Sequence, residues 1–204
     1  MPLPLGVICD DEVVQASLDF ATGADIRAVK NWRISPRLVK QSDMRHRAAE
    51  SCELARFAAK RWRYYRDSRT FACSSEELQS LIASDPHGEF SFHLKVTADW
   101  FPEIMGAAMV RRTWCHHLMI DFLFVHPDIC SRLLAVKTVG VQILQSICLI
   151  ARELKCKRVW GEATKDSSAF YQSQLGRKVE DLFAIDKQQI AQLSQRVETP
   201  AHRA

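Results

Sequence analysis

The stretch after Gly88 constrains the fold most, because three extended segments follow one another with no helix between them, and only then does strand alternate with helix. Residues 89–97 alternate in part, residues 104–110 are apolar and small, and residues 117–125 are rich in β-branched and aromatic side chains, all of which suit strands. Residues 138–154 then read as a mostly apolar helix, 158–163 as a strand, 167–175 as a short helix, 178–185 as a strand and 187–197 as a polar closing helix. This order predicts an α/β (α+β) protein with a mixed sheet and helices on both faces.

Two helices precede these strands. Over residues 44–66, Leu54, Phe57, Ala58, Trp62 and Tyr65 recur at helical spacing while Arg56, Lys60 and Arg63 fall on another face, giving an amphipathic basic helix. A second helix is announced by Ser74 as N-cap with Glu77 three residues later, backed by Leu78, Leu81 and Ile82 and ended by Asp85-Pro86-His87-Gly88. The first 25 residues show no sustained period and receive no element.

Composition removes several classes. With 204 residues, 47% apolar, 25% charged and only seven glycines and seven prolines, the chain is not collagen-like, disordered or mucin-like, and one domain over residues 1–204 is expected. Seven cysteines without a Cys-x-x-Cys pair do not form a secreted disulfide framework, so reduced thiols in a cytoplasm are expected. The amino terminus lacks a basic leader region, and the apolar run 139–151 is interrupted by Gln142, Gln145 and Ser146, so neither signal peptide nor membrane span is expected. Residues 27–69 hold thirteen Lys/Arg against four Asp/Glu, which makes the first 69 residues a basic, helix-rich portion on an acidic remainder. Such a surface admits nucleic acid, an acidic substrate or the chain's own acidic remainder as partner. A packed apolar face with solvated arginines is the favoured reading, and nucleic acid is not.

The chemistry concentrates after the third strand. Residues 119–125 (MIDFLFV) lead through a long connection to Lys137-Thr138-Val139-Gly140-Val141-Gln142, a single glycine where a helix begins. Glycine there lets a ligand approach the backbone while helix N-terminal N–H groups favour phosphate. About twenty residues on, RVWGEATKDSSAFYQSQLG combines a strand ending in Glu162, a polar turn and Phe170-Tyr171 on the next helix.

Together these motifs resemble the Gcn5-related N-acetyltransferase (GNAT) family over residues 90–185. Residues 137–142 resemble its R/Q-x-x-G-x-G/A motif, with Gln142 where a small residue is usual. GEATKDSSAFY is similar to its GEAT-x-N-S-x-x-F-Y form, with Asp166 in place of asparagine. The resemblance implies a mostly antiparallel sheet with a V-shaped cleft for acetyl-CoA as acyl donor. It implies that main-chain groups of Leu123, Phe124 and Val125 meet pantetheine, that Lys137, Thr138, Val139, Gly140, Val141 and Gln142 hold the pyrophosphate, and that Ser167 and Phe170 complete the cleft. The implied activity is acetyl transfer to an amine in a ternary complex, without metal. A homodimer is compatible with it.

Acyl transfer sets its own demands. An ammonium of pKa ~10 must lose its proton before attack, so a carboxylate is needed, directly or through water. Glu162, at a strand end beside the expected cleft, is the first candidate, and Asp121, inside an apolar strand, the second. The departing thiolate can take a proton from a phenol, and Tyr171 is the expected donor, with Phe170 the alternative cleft-facing ring one residue away. A zinc reading of His116, His117 and His126 with Cys115 and Cys130 fails on spacing, since adjacent strand histidines point to opposite faces. The rival class is a non-catalytic acyl-CoA-binding or regulatory module whose basic portion contacts nucleic acid or a protein.

Overall fold

Residues 3–20, given no element from sequence, form a hairpin near one edge of the sheet. In the computed structural model, which describes residues 2–38 and 41–198, β1 (Leu3–Cys9) pairs antiparallel with β2 (Glu12–Phe20) from Leu3↔Leu18 to Cys9↔Glu12. Their turn, Asp10-Asp11, is left-handed at both residues, φ 49° and 65°. Two-residue hairpins require that hand, and aspartate tolerates it because its short side chain can bond locally. An Asp-Asp turn lacks the glycine that marks such hairpins, and Pro4 sits inside the first strand, so local sequence carries little hairpin signal. The single-domain expectation also spans residues 1, 39–40 and 199–204, which lie outside the described residues.

Helix α1 (Gly23–Lys30) starts at a reciprocal cap between Thr22 and Asp25. Helix α2 (Ser42–Asp67) buries Ala48, Ser51, Cys52, Ala55, Ala58, Ala59, Trp62 and Tyr65 along one stripe and leaves Arg56, Lys60 and Arg63 exposed. Phe57, expected in that stripe, is 47% exposed and stacks at its edge on Phe122, centroids 6.3 Å apart. Alanines fill the middle of the stripe, and the rings of Trp62 and Tyr65 fill its carboxy-terminal end. After the two-residue β3 (Phe71–Ala72), α3 (Ser75–Ser84) begins where expected, with Ser74 Oγ accepting from the Glu77 N–H at 3.1 Å.

Three long strands follow, β4 (Phe90–Ala98), β5 (Phe101–Arg112) and β6 (His117–Val125), each antiparallel to the next. The long connection then holds a short helix, α4 (Pro127–Cys130), and β7 (Val136–Lys137), which pairs with β1. Helix α5 (Val139–Glu153), β8 (Arg158–Glu162), α6 (Ser168–Leu175), β9 (Leu182–Ile185) and α7 (Lys187–Glu198) complete the chain. The sheet order is β7-β1-β2-β4-β5-β6-β8-β9 with β3 beside β4, and among the described residues only the β6–β8 and β3–β4 pairs are parallel. The expected mixed, mostly antiparallel sheet is what forms.

Helices cover both faces, which explains the uninterrupted apolar run in β5. Ala108 and Val110 face a core with Ile143, Leu144 and Ile147 of α5, whereas Ala107 and Met109 face Ile26, Val29 and Trp62 of α1 and α2. A strand alternates its side chains, so a strand with both faces packed must be apolar throughout.

Candidate functional site

The site is built where β6 and β8 part. The two strands pair in parallel from His117↔Arg158 to Ile120↔Gly161; β8 ends one residue later, while β6 runs on to Val125. Two features separate them. Asp121 is skipped in the pairing of β6 with β5, which passes from Val110↔Ile120 to Met109↔Phe122, and such a bulge bends and twists its strand. On β8, Gly161 packs so tightly that an added Cβ would stand 2.8 Å from the Ile120 carbonyl oxygen and 2.9 Å from the Phe183 ring. Past this point, Leu123, Phe124 and Val125 have a main-chain edge that β8 does not pair. A buried edge of this kind needs partners. The Ser51 hydroxyl of α2 supplies one by donating to the Val125 carbonyl.

The start of α5 lies against the same opening. Its N-cap, Thr138, is left-handed at φ 69°, and its hydroxyl donates to the Lys137 carbonyl at 2.6 Å, so no side chain caps the helix. The first-turn N–H groups and the positive end of the helix dipole therefore suit an anion. A Cβ on Gly140 would lie 3.6 Å from the Phe170 ring and 3.7 Å from Leu123, ordinary contact distances, so hydrogen at this position keeps open a space that a methyl group would fill. The structure thus brings together Leu123, Gly140 and Phe170 from three elements. Val139 is buried against Gly106, and Val141 and Gln142 are half-buried in the first turns.

Lys137 goes elsewhere. It sits in β7, exposed, and its ammonium meets Asp11 Oδ1 at 2.7 Å at the hairpin turn. Its expected place in a phosphate cradle is not the one its side chain occupies here.

Tyr171 is the main departure from expectation. The ring is 4% exposed and stacks on Phe183 with centroids 3.8 Å apart, and burial drives the phenol well above its ordinary pKa. Its neighbour Phe170 faces Leu123 and Gly140 instead. One helical residue, about 100° of rotation, makes the difference, and the more apolar environment took the tyrosine. A group so enclosed is a core residue, and the acid role expected of it does not fit this geometry.

Asp121 is likewise committed. Its side chain is 4% exposed and takes a bidentate pair from Arg111, Nε to Oδ2 at 2.7 Å and Nη2 to Oδ1 at 2.9 Å, with Arg61 3.7 Å away. Arg111 also reaches Glu89 Oε1 at 3.1 Å, which accepts from the Tyr65 hydroxyl at 2.7 Å. Burial raises the Asp121 pKa and Arg111 opposes the rise, while burial followed by the Glu89 bond pushes the Tyr65 phenol up to about 12. A bidentate guanidinium occupies both carboxylate oxygens, so Asp121 is a structural anion and not the free base expected as second candidate.

Glu162 stands one residue beyond Gly161, exposed, opposite Leu182 of β9, and its carboxylate makes no ion pair among the described residues. The turn that follows is closed on itself: Thr164 N donates to Ser167 Oγ at 2.8 Å and Ser167 N to Thr164 Oγ1 at 3.2 Å. Ser167 is thus spent on the turn. Sequence reasoning missed what holds this turn, since Thr164 Oγ1 donates to Glu50 of α2 at 2.7 Å and His46 meets Asp166 at 2.8 Å. Partners more than a hundred residues apart leave no local signal, so α2 as a strap beside the parted strands is a purely tertiary feature. Among the described residues no group of three or more His, Cys, Asp or Glu could hold a metal ion, and no helix is long and apolar enough to cross a membrane.

No family model and no curated protein matches the chain. Among solved structures it is similar to a putative acetyltransferase of the GNAT family from Desulfovibrio desulfuricans, at 11% identity and TM-score 0.47 over 84% of this chain and 98% of that one. It is similar to PaiA N-acetyltransferase from Thermoplasma acidophilum in complex with coenzyme A, at 12% identity and TM-score 0.47 over 85% and 99%. Nourseothricin acetyltransferase matches at 19% identity and TM-score 0.35 over 44% of this chain, which spans 49% of that protein.

Proposed function

We propose that the chain is an acyl-CoA-dependent N-acyltransferase of Gcn5-related type, passing an acetyl group directly from the thioester to an amine within a ternary complex. The observation that carries this reading is the parting of β6 and β8 at Ile120 and Gly161, with the free edge of Leu123–Val125 opening beside the uncapped start of α5. An extended pantetheine arm can bond to such an edge as an added strand would, and the pyrophosphate of the same coenzyme A suits the N–H groups at Gly140.

In this reading Glu162 accepts the proton of the acceptor ammonium through water. The freed amine nitrogen attacks the thioester carbonyl, the C–N bond forms, the C–S bond breaks with its electron pair leaving on sulfur, and the second proton shed by the nitrogen passes through water to that thiolate. A thiolate of pKa about 8.5 is a stable leaving group near neutral pH, so the step does not require a buried phenol. The acceptor is an amine of undetermined class. All seven cysteines are free, which accords with the proposed cytoplasmic setting.

A second reading, a module that binds acyl-CoA without transfer, is favoured by one observation: the phenol of Tyr171 is enclosed and a hydrocarbon ring, Phe170, lines the cleft in its stead. Calorimetric titration with acetyl-CoA and desulfo-CoA, followed by an amine screen, tests both. Micromolar binding with turnover supports the enzyme, and binding without turnover across the screen supports the module. An absence of heat at several temperatures with an unshifted melting curve overturns both.

A further inference from the structure

A second cavity lies on the open face of β8 and β9. Cα pairing sets His117 beside Arg158, and Trp160 beside Ala184, so these side chains share one face of the sheet. Residues 177–179 curl over the face, held by the Arg177 guanidinium donating to the Ala184 carbonyl. The open cleft has a volume of about 490 Å³, and its walls include Arg158, Arg177, Lys178, His117, Trp160 and Leu182.

Its electrostatics are one-sided. Among the described residues three permanent cations line it and no carboxylate does. Lys178 is partly balanced by Glu180 at 2.5 Å, but Arg158 is exposed and makes no ion pair among the described residues. His117 records the same imbalance, since burial and then Arg158 and Lys157 hold its pKa below the ordinary value. Beside these charges lie apolar surfaces, the half-buried Trp160 and Leu182, which is 58% exposed. Clustered cations beside a tryptophan face match a flat ring that carries a negative group.

We propose that this cleft binds a small planar aromatic anion, its ring against Trp160 and its carboxylate or phosphate between Arg158 and Arg177. A second copy of the chain fits poorly as occupant, because a two-fold contact would set the same cations against one another. The inference stands on residues outside the β6–β8 opening and does not depend on the acyl-transfer reading.

The test is calorimetric titration of the full chain with benzoate and with phenyl phosphate, beside benzyl alcohol and inorganic phosphate as half-ligands. At least one aromatic anion binds, its identity reporting carboxylate or phosphate as the head group, and each half-ligand binds at least ~10-fold more weakly. Arg158→Glu and Trp160→Ala each weaken that binding by roughly 10-fold or more, the size of a lost charge-assisted bond or ring contact, while Arg158→Glu leaves the melting temperature and any acetyl-CoA binding unchanged. Binding by neither aromatic anion overturns the proposal. So does inorganic phosphate binding as tightly as phenyl phosphate, or binding that survives both substitutions.

Discussion

A Cβ on Gly161 would stand 2.8 Å from the carbonyl oxygen of Ile120, its own partner in the β6–β8 pairing and the last residue at which those strands are joined. The contact is with backbone, which cannot rotate away, and the Phe183 ring closes the other side at 2.9 Å. Gly161→Ala should therefore force β8 off β6 and destabilise the protein by roughly 1–3 kcal/mol, the usual cost of overpacking. Urea unfolding with an unchanged slope and a lowered midpoint is the expected result.

Gly140 presents the opposite case. A methyl group there meets Phe170 and Leu123 only at 3.6–3.7 Å, so the protein itself accepts it. Gly140→Ala should change stability by less than about 1 kcal/mol, and in the stabilising direction if the helix start responds like an interior. The same methyl fills the space beside the first N–H groups of α5. Acetyl-CoA binding should weaken by roughly 10-fold, read by calorimetry.

The ion pair of Asp121 and Arg111 predicts a stability effect rather than a catalytic one. Asp121→Ala strands a mostly buried guanidinium, with Glu89 as its remaining carboxylate, the Met119 sulfur beside it and the exposed Arg61 nearby, and should cost about 3 kcal/mol. Replacing both members together, Asp121→Leu with Arg111→Met, should cost clearly less. Equilibrium unfolding of the three variants checks the difference.

Two substitutions separate the carboxylate from the phenol. Glu162→Gln should lower turnover by roughly 100-fold or more while leaving acetyl-CoA binding intact, as expected on removing a general base. Tyr171→Phe keeps the stack on Phe183 and should leave turnover unchanged. Steady-state rates for the two variants, with calorimetry, give the answer.

His93 makes stability depend on pH. It is fully buried on β4 with Nε2 unpartnered among the described residues, and burial lowers its pKa to about 3. Above pH 6.5 the folded and unfolded chains are both neutral at this group. Below it, only the unfolded chain takes up the proton, so stability falls by about 1.4 kcal/mol per pH unit until the folded pKa is reached. Between pH 7.5 and 5 the loss from His93 amounts to roughly 2 kcal/mol. His116 and His117, also lowered, act in the same direction, so comparison with His93→Gln isolates the buried ring. The variant's stability should decline less over that range.

The legible parts of this protein were those written in local chemistry. The Ser74 cap with Glu77, the alternation and apolarity of β4 to β6, and the amphipathic period of α2 each depend on residues within a few positions of one another, and each element forms where it was expected. Strand order after Gly88 was enough to predict a mixed sheet covered on both faces. The glycine at the start of α5 could likewise be singled out from sequence, because only a backbone approach or a tight contact makes a side chain unwelcome there.

What tertiary structure decided is which of several chemically similar groups faces the opening. Phe170 and Tyr171 are neighbours with nearly the same ring, and only the position of Phe183 and Leu123 assigns one to the core and the other to the cleft. Asp121 in an apolar strand was readable as a buried carboxylate, but the guanidinium that occupies it comes from β5, across a bulge that sequence does not announce. Glu50 and His46 reach a turn more than a hundred residues away. Sequence fixes which groups a chain carries and their local periods. Burial and long-range pairing fix which of them remain free to react, because both depend on distances that exist only once the sheet has closed.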